Sequence, residues 1–495
     1  MTSSASQDRP VVPTRRGPVR GERRDGSIRF LGIPYAQPPV GDLRFAAPVP
    51  PRPWTEVLDA TAYGPTAQRR PFADVTVIPE PVIPGDSTLN LNVFTPDLAP
   101  PAGLPVLVWI HGGGFVAGCS ASPWYDGAAF NRDGVVVVSV GYRLGVEGFL
   151  HLPDAPDNRG VRDWIAALEW VRDNIRAFGG DPAKVTVAGQ SAGGGAVQTL
   201  LATPAAQGLF RAAVSVSGAV MRPQEPVNAR TVTALFAERT GVPATAAALR
   251  HATDEELLAF QDALDTPGPG RDELPQLLLA PFADGELIPV PVQEALAGGH
   301  AGANVPLMLG FTAHEFAAPV GEADAGEDAG DTTGESDGGE ALRGLLAALG
   351  LDEARTARFL DHHPATDGQA ITDWLFRAPG VALAEARAAR GLPTWLYQFE
   401  WSGTAPGRAG HAYHCIDLPF AFDLLDADGA TAALGDHPPQ ALADTLHAAW
   451  VAFVRDLDPG ASWPPYDARR TTMLWDSEPR AERDPLRTVR DIWLT

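Results

Sequence analysis

The chain has 495 residues, 45% hydrophobic and 20% charged, a balance that fits a globular, soluble protein. Its formal charge of −23 repels polyanions and anionic lipid, so neither nucleic acid nor a membrane is expected as a partner. The only cysteines, Cys119 and Cys415, cannot build a disulfide framework, which points to a reducing cytosol and a cytoplasmic location.

Met1 to Arg24 holds Ser, Pro and Arg but no apolar stretch, so no signal peptide is expected. Residues 1–16 read as a flexible leader, and residues 17–495 as a single α/β catalytic domain. Lys184 is the sole lysine, and Ala, Gly and Pro abound, as in a GC-rich bacterial genome. Leu104 to Ile110 is a short apolar run and reads as a buried strand, as does Val135 to Val140. Neither approaches the roughly 20 apolar residues of a membrane span. Val161, Ile165, Leu168, Val171, Ile175 and Phe178 recur at spacings of three and four, which predicts an amphipathic helix. Further strands are expected at Lys184 to Ala188, Ala212 to Ser217, Leu307 to Gly310 and Trp395 to Phe399. Strands alternating with helices predict a large, mostly parallel central sheet with helices on both faces. Ligands gather at the carboxyl ends of such strands. Gly321 to Glu340 carries eight acidic residues and no basic one, and reads as a flexible insertion loop spanning about residues 319–341.

Gly189-Gln190-Ser191-Ala192-Gly193 is a G-x-S-x-G pentapeptide between an expected strand and the small-residue, helix-forming stretch Ala192 to Leu201. That setting makes Ser191 the candidate nucleophile, exposed on a strained turn. The helix starting beside it aims its positive end at developing negative charge. His111-Gly112-Gly113-Gly114-Phe115 directly follows another expected strand. Residues without side chains let backbone N–H groups approach an oxyanion, so Gly113, Gly114 and Ala192 are the candidate donors. No Gly-Lys-Ser/Thr follows, which excludes a P-loop.

Phe30-Leu31-Gly32-Ile33-Pro34-Tyr35-Ala36, then Pro38-Pro39-Val40-Gly41 and Leu43-Arg44-Phe45, resembles the entry signature of the type-B carboxylesterases. That family includes the para-nitrobenzyl esterases and the cholinesterases. Leu91-Asn92-Val93-Phe94, Tyr142-Arg143-Leu144-Gly145, Phe178-Gly179-Gly180-Asp181-Pro182, and Trp450, Phe453 and Trp463-Pro464 extend the likeness over most of the chain. The resemblance implies an α/β-hydrolase fold with helical insertions around an active-site gorge. It implies Glu315, in Gly310-Phe311-Thr312-Ala313-His314-Glu315, as the acid, and His414, before Asp417-Leu418-Pro419-Phe420, as the base. His411 is the rival base. The family usually has an acidic residue before the glutamate and glycine after it; here these are His314 and Phe316. The order Ser…Glu…His is that of α/β-hydrolases. The likeness further implies Ser217 near the triad and a buried Asp86–Arg143 ion pair. Relatives often bridge cysteines near Ala67 and Thr88, which are not Cys here.

The activity so implied is serine-dependent hydrolysis of small to medium carboxylic esters through an acyl-enzyme, with carbamate or amide hydrolysis by the same triad, or a non-catalytic interaction role, as alternatives. No cofactor is expected, and no metal, since His362-His363 and His411/His414 lack a third ligand at the usual spacing. A monomer or weak homodimer binding a small-molecule ester is expected. Phe115, Trp124 and Phe316 are the candidate pocket walls, Cys119 and Cys415 are candidate sites for an alkylating reagent, and the acidic loop is a candidate lid against anionic esters.

Overall fold

Each of the six apolar runs that reads as a strand is one, and three of them extend beyond the run. The computed structural model describes residues 9–24, 26–72, 77–218, 225–268, 270–271, 274–298, 301–316, 337–363 and 367–494. Contacts divide the chain into two compact units: Met1–Leu307 with Ala448–Pro459, and Met308–His447 with Gly460–Thr495.

The first unit contains β1 (Val11–Pro13), β2 (Pro18–Arg20), β3 (Glu22–Arg24), β4 (Ser27–Pro34), β5 (Leu58–Asp59), β6 (Asn90–Thr95), β7 (Leu104–Ile110), β8 (Val136–Val140), β9 (Gly180–Gln190) and β10 (Ala212–Val216). Of the leader expected over residues 1–16, Val11–Pro13 is a strand. β1 pairs antiparallel with β2, setting Val12 opposite Val19, and both side chains are buried. The apolar pair anchors a segment whose composition looked solvated. Residues 1–8 lie outside the described residues.

The main sheet of this unit runs β10-β9-β7-β8-β6-β4-β3. β10, β9, β7 and β8 are mutually parallel, and their residues from Val106, Val136, Val185 and Ala212 onward are buried. Burial on both faces is why these strands read as unbroken apolar runs. β6, β4 and β3 attach antiparallel, so the sheet is mixed around its parallel centre. With two residues between them in sequence, β3 and β4 can pair only as an antiparallel hairpin. The amphipathic pattern at Val161 to Phe178 becomes the helix Arg159–Asn174 and a 3-10 turn, Ile175–Phe178.

The second unit contains β11 (Leu307–Thr312), β12 (Thr394–Phe399), β13 (Thr471–Trp475) and β14 (Arg480–Arg483), in the order β14-β13-β12-β11. β12 and β13 are parallel, and β14 closes the edge antiparallel. Its outermost strand, Arg480–Arg483, is exposed along its length and carries alternating charge, which protects a sheet edge from pairing with another chain. Of the acidic insertion, residues 321–336 and the lid role assigned to them lie outside the described residues, while Asp337–Ala348 is a helix. The last residues expected in the loop therefore begin a helix, continued by the apolar spacing of Leu342, Leu345 and Leu346. Among the described residues no helix is long and apolar enough to cross a membrane.

Candidate active site

Ser191 stands where β9 ends and the helix Ala192–Ala202 begins, with φ 57 and ψ −124. A non-glycine residue at positive φ is strained and persists only where its surroundings hold it. Here Ser191 N–H donates to Val216 O at 2.9 Å, and Ser191 O accepts Gly195 N–H at 2.9 Å. The flanking glycines have no room for a side chain: a Cβ on Gly189 would run into Gly193 O, and one on Gly193 into Ile110 O. Strand, sharp turn and helix therefore interlock, as the pentapeptide required.

The glycine loop after β7 lies against this turn. A Cβ on Gly112 would stand 2.7 Å from Gln190 O and 3.0 Å from Ser191 Cβ. Gly113 and Gly114 have φ of +106 and +61. Gly113 O accepts Val116 N–H at 3.0 Å and Ala117 N–H at 2.8 Å, which folds the loop into a tight turn. Among the described residues, no acceptor takes the N–H of Gly113, Gly114 or Ala192. Buried backbone donors normally find partners, so donors left open beside a serine are positioned for a ligand's oxygen.

His111 is buried, and burial pushes its imidazole down to about 3, so it stays neutral. Its Nδ1 lies 2.8 Å from Gly112 O and its ring stacks on Tyr142 with centroids 4.4 Å apart. Tyr142 Oη donates to His111 O at 3.0 Å. This pair fixes the start of the glycine loop from below. Ser217 is buried at φ 43, one residue past the carbonyl that holds Ser191. Sequence reasoning missed Gln198 and Ser215. Gln198 Nε2 donates to Ser215 Oγ at 2.9 Å, and Ser215 Oγ donates to Gly194 O at 3.0 Å, tying the helix to β10. A glutamine in a helix of mostly small and apolar residues was the available signal.

The second unit joins the expected acid and base. Glu315 and His414 are both buried, with Nδ1 of His414 2.5 Å from Glu315 Oε2. Thr312 N–H donates to Glu315 Oε1 at 2.9 Å, and His414 N–H donates to Glu315 O at 2.8 Å. Burial alone would pull the His414 pKa down, but interactions with Cys415 and Glu315 outweigh it and hold it well above the ordinary value of 6.5. Burial also raises the Cys415 thiol, against the lowering pull of His414. The rival His411 points elsewhere, its Nδ1 3.2 Å from Ala409 O. Asp417 is wholly buried. Burial first, then Glu315, pushes its carboxyl up to about 7, and Tyr397 Oη donates to its Oδ2 at 2.9 Å.

Phe316 stacks on the His414 ring with centroids 5.0 Å apart, and Phe376 lies 5.2 Å from the same ring. Phe376 comes from the π-helical turn Asp373–Arg377, which no sequence pattern announced. Trp124 has no exposed surface and is corrected from pocket wall to core residue. Phe115 is likewise buried, packed on Phe149 at 5.1 Å and Trp164 at 6.1 Å. The implied Asp86–Arg143 pair is also corrected. Asp86 is exposed, while Arg143 forms a buried two-point pair with Asp163, at 2.7 and 2.9 Å. Cys119 and Cys415 are free but buried, so neither offers an open thiol to a reagent. No group of His, Cys, Asp or Glu among the described residues is arranged to hold a metal ion. A cleft of about 630 Å³ in the first unit, lined by Arg44, Asp86, Val116, Glu147 and Gln261, is lined by neither Ser191 nor the loop glycines Gly113 and Gly114.

The fold is that of the α/β-hydrolases, and solved structures similar to it include PNB esterases and a carboxylesterase. A PNB esterase matches with a TM-score of 0.83 and 35% identity, covering 98% of this chain and 99% of that one. A carboxylesterase of Geobacillus stearothermophilus matches with a TM-score of 0.82 and 33% identity, over 98% and 99% of the two chains. The model of the carboxylesterase family matches residues 8–493. Para-nitrobenzyl esterase of Bacillus subtilis is 38% identical over 96% of both chains, and phenmedipham hydrolase of Pseudarthrobacter oxydans is 32% identical over 96% of both. The chain belongs to the carboxylesterase family and is a carboxylic ester hydrolase.

Proposed function

We propose that the protein hydrolyses carboxylic esters of small to medium molecules through a Ser191–His414–Glu315 triad and a covalent acyl-enzyme. Ser191 Oγ attacks the ester carbonyl while His414 Nε2 takes its proton. The carbonyl oxygen becomes an oxyanion held by the N–H groups of Gly113, Gly114 and Ala192. His414 then protonates the departing alcohol, leaving the acyl group on Ser191. Water, activated by the same imidazole, releases the acid. Glu315 keeps the Nδ1 proton in place and stabilises the imidazolium in both steps.

The observation that carries this reading is Ser191 held at φ 57 beside backbone donors that no acceptor among the described residues claims. The buried Glu315–His414 bond of 2.5 Å supports the rest of the triad. Turnover of para-nitrophenyl esters by Ser191→Ala tests it. Hydrolysis should fall to the uncatalysed background with the melting temperature preserved; turnover retained by the folded variant would overturn the scheme.

A further inference from the structure

We propose that His314 is a positioning residue for the general base: its Nδ1 lone pair, by accepting the Ala412 N–H, locks the strand-like segment that delivers His414 onto the loop that carries Glu315. The inference rests on the triad reading above. It concerns a side chain that takes no part in the triad itself, at a position where the family pattern usually has an acid.

The loop 312–316 and the segment 412–414 run side by side. His314 N–H donates to Ala412 O at 3.0 Å, and His414 N–H donates to Glu315 O at 2.8 Å. A regular ladder would return the Ala412 N–H to a backbone carbonyl. Here it goes to the imidazole of His314, at 3.1 Å. Ala412 is wholly buried, so its N–H has no water to turn to if this acceptor is lost. The bond sits two residues before His414, and the Glu315 carboxylate lies one residue beyond His314. A slip here would change the Glu315–His414 distance directly.

The bond needs Nδ1 unprotonated, which fixes His314 as the neutral tautomer with its proton on Nε2. Its surroundings enforce this. Burial, then the nearby His411, Arg377 and His363, push its pKa down to about 4, against the opposing pull of Asp373. The His411 ring meets it edge-on with centroids 5.3 Å apart. His314 therefore remains an acceptor throughout the pH range in which His414 works as a base.

Two substitutions separate the acceptor from the ring. His314→Phe keeps the ring and its contact with His411 but removes the acceptor. His314→Asn removes the ring but places Oδ1 where Nδ1 stood. His314→Phe should lose about tenfold or more in kcat, as expected for a misplaced catalytic group, with KM nearly unchanged. The downfield proton resonance of the Glu315–His414 bond should broaden in it. His314→Asn should stay within about twofold of the parent kcat and keep that resonance, in line with the small effects of changes that leave the transition-state contacts intact. Equal kcat for His314→Phe and the parent, or an equal loss in both variants, would overturn the inference. Ser191→Ala assayed alongside distinguishes the two levels: activity surviving there removes the triad reading, whereas an inactive Ser191→Ala with a fully active His314→Phe removes only the role of His314.

Discussion

Around Ser191 the backbone makes the site: positive φ at Ser191, Gly113 and Gly114, glycines that admit no Cβ, and N–H donors without acceptors among the described residues. Around His414 side chains make it: the Glu315 carboxylate on Nδ1, the His314 imidazole on Ala412, and the rings of Phe316 and Phe376 on the imidazole face. The difference teaches where each region is vulnerable. A site made of backbone breaks through sterics, and almost any side chain added there does damage. A site made of side chains breaks through charge and protonation, and its response depends on pH.

The largest effect is expected on the side-chain half. Glu315→Gln preserves shape but removes the charge and the correct tautomer of His414, and kcat should drop about 10⁴-fold in ester assays, with KM little changed. Because interactions with Cys415 and Glu315 hold the His414 pKa above 6.5, the acid limb of kcat/KM in the parent should have its midpoint above 6.5. The same shift has a signed consequence for stability. A histidine whose pKa is raised on folding stabilises fully below its ordinary value, and loses that contribution as pH rises through the folded value. The melting-temperature gap between parent and Glu315→Gln should therefore be wider at pH 6 than at pH 9.

Next in size is the buried Arg143–Asp163 pair, which supports the first unit without touching the reaction. Arg143→Ala strands a carboxylate in the core and should destabilise by about 3–5 kcal/mol in chemical denaturation. Esterase activity per folded molecule should change little. On the backbone half, Gly113→Ala drives a Cβ into Ala117 O at a φ of +106. It should lose about 10²–10³ in kcat, the size of one oxyanion donor, at every pH alike. A pH-dependent loss there would blur the contrast between the halves.

The smallest effect concerns Asp417. Its carboxyl titrates near 7 in the fold against an ordinary value of 3.8, so it binds its proton more tightly when folded. The parent should therefore lose stability as pH rises from about 4 through 7. Asp417→Asn carries no such titration. Melting curves at pH 5 and pH 8 should show the variant gaining on the parent at the higher pH, and parallel curves would count against a buried, protonated Asp417.

The same contrast explains what could be read from the sequence. Backbone sterics write themselves into residue type, so the crowded turns at Gly189, Gly193 and Gly113 appear as glycines at fixed spacing beside apolar strands. β7 was legible to the residue, and the helix after Ser191 within one. Side-chain partnerships between distant segments leave no spacing to read. Glu315 and His414 came only from family likeness, the Asp163 partner of Arg143 was mistaken for Asp86, and the Phe376 ring was not anticipated. Rotamer direction was equally hidden, which is why Trp124 and Phe115 looked like pocket walls and are core residues. The short N-terminal strands escaped notice because three residues with one buried valine give no period.

Covalent labelling with a fluorophosphonate, followed by mass spectrometry of the peptides, tests the assigned nucleophile most directly. One adduct per chain on the peptide containing Ser191, with loss of ester hydrolysis in step with labelling, is the expected result. An adduct on another residue, or full hydrolysis by stoichiometrically labelled protein, would contradict it.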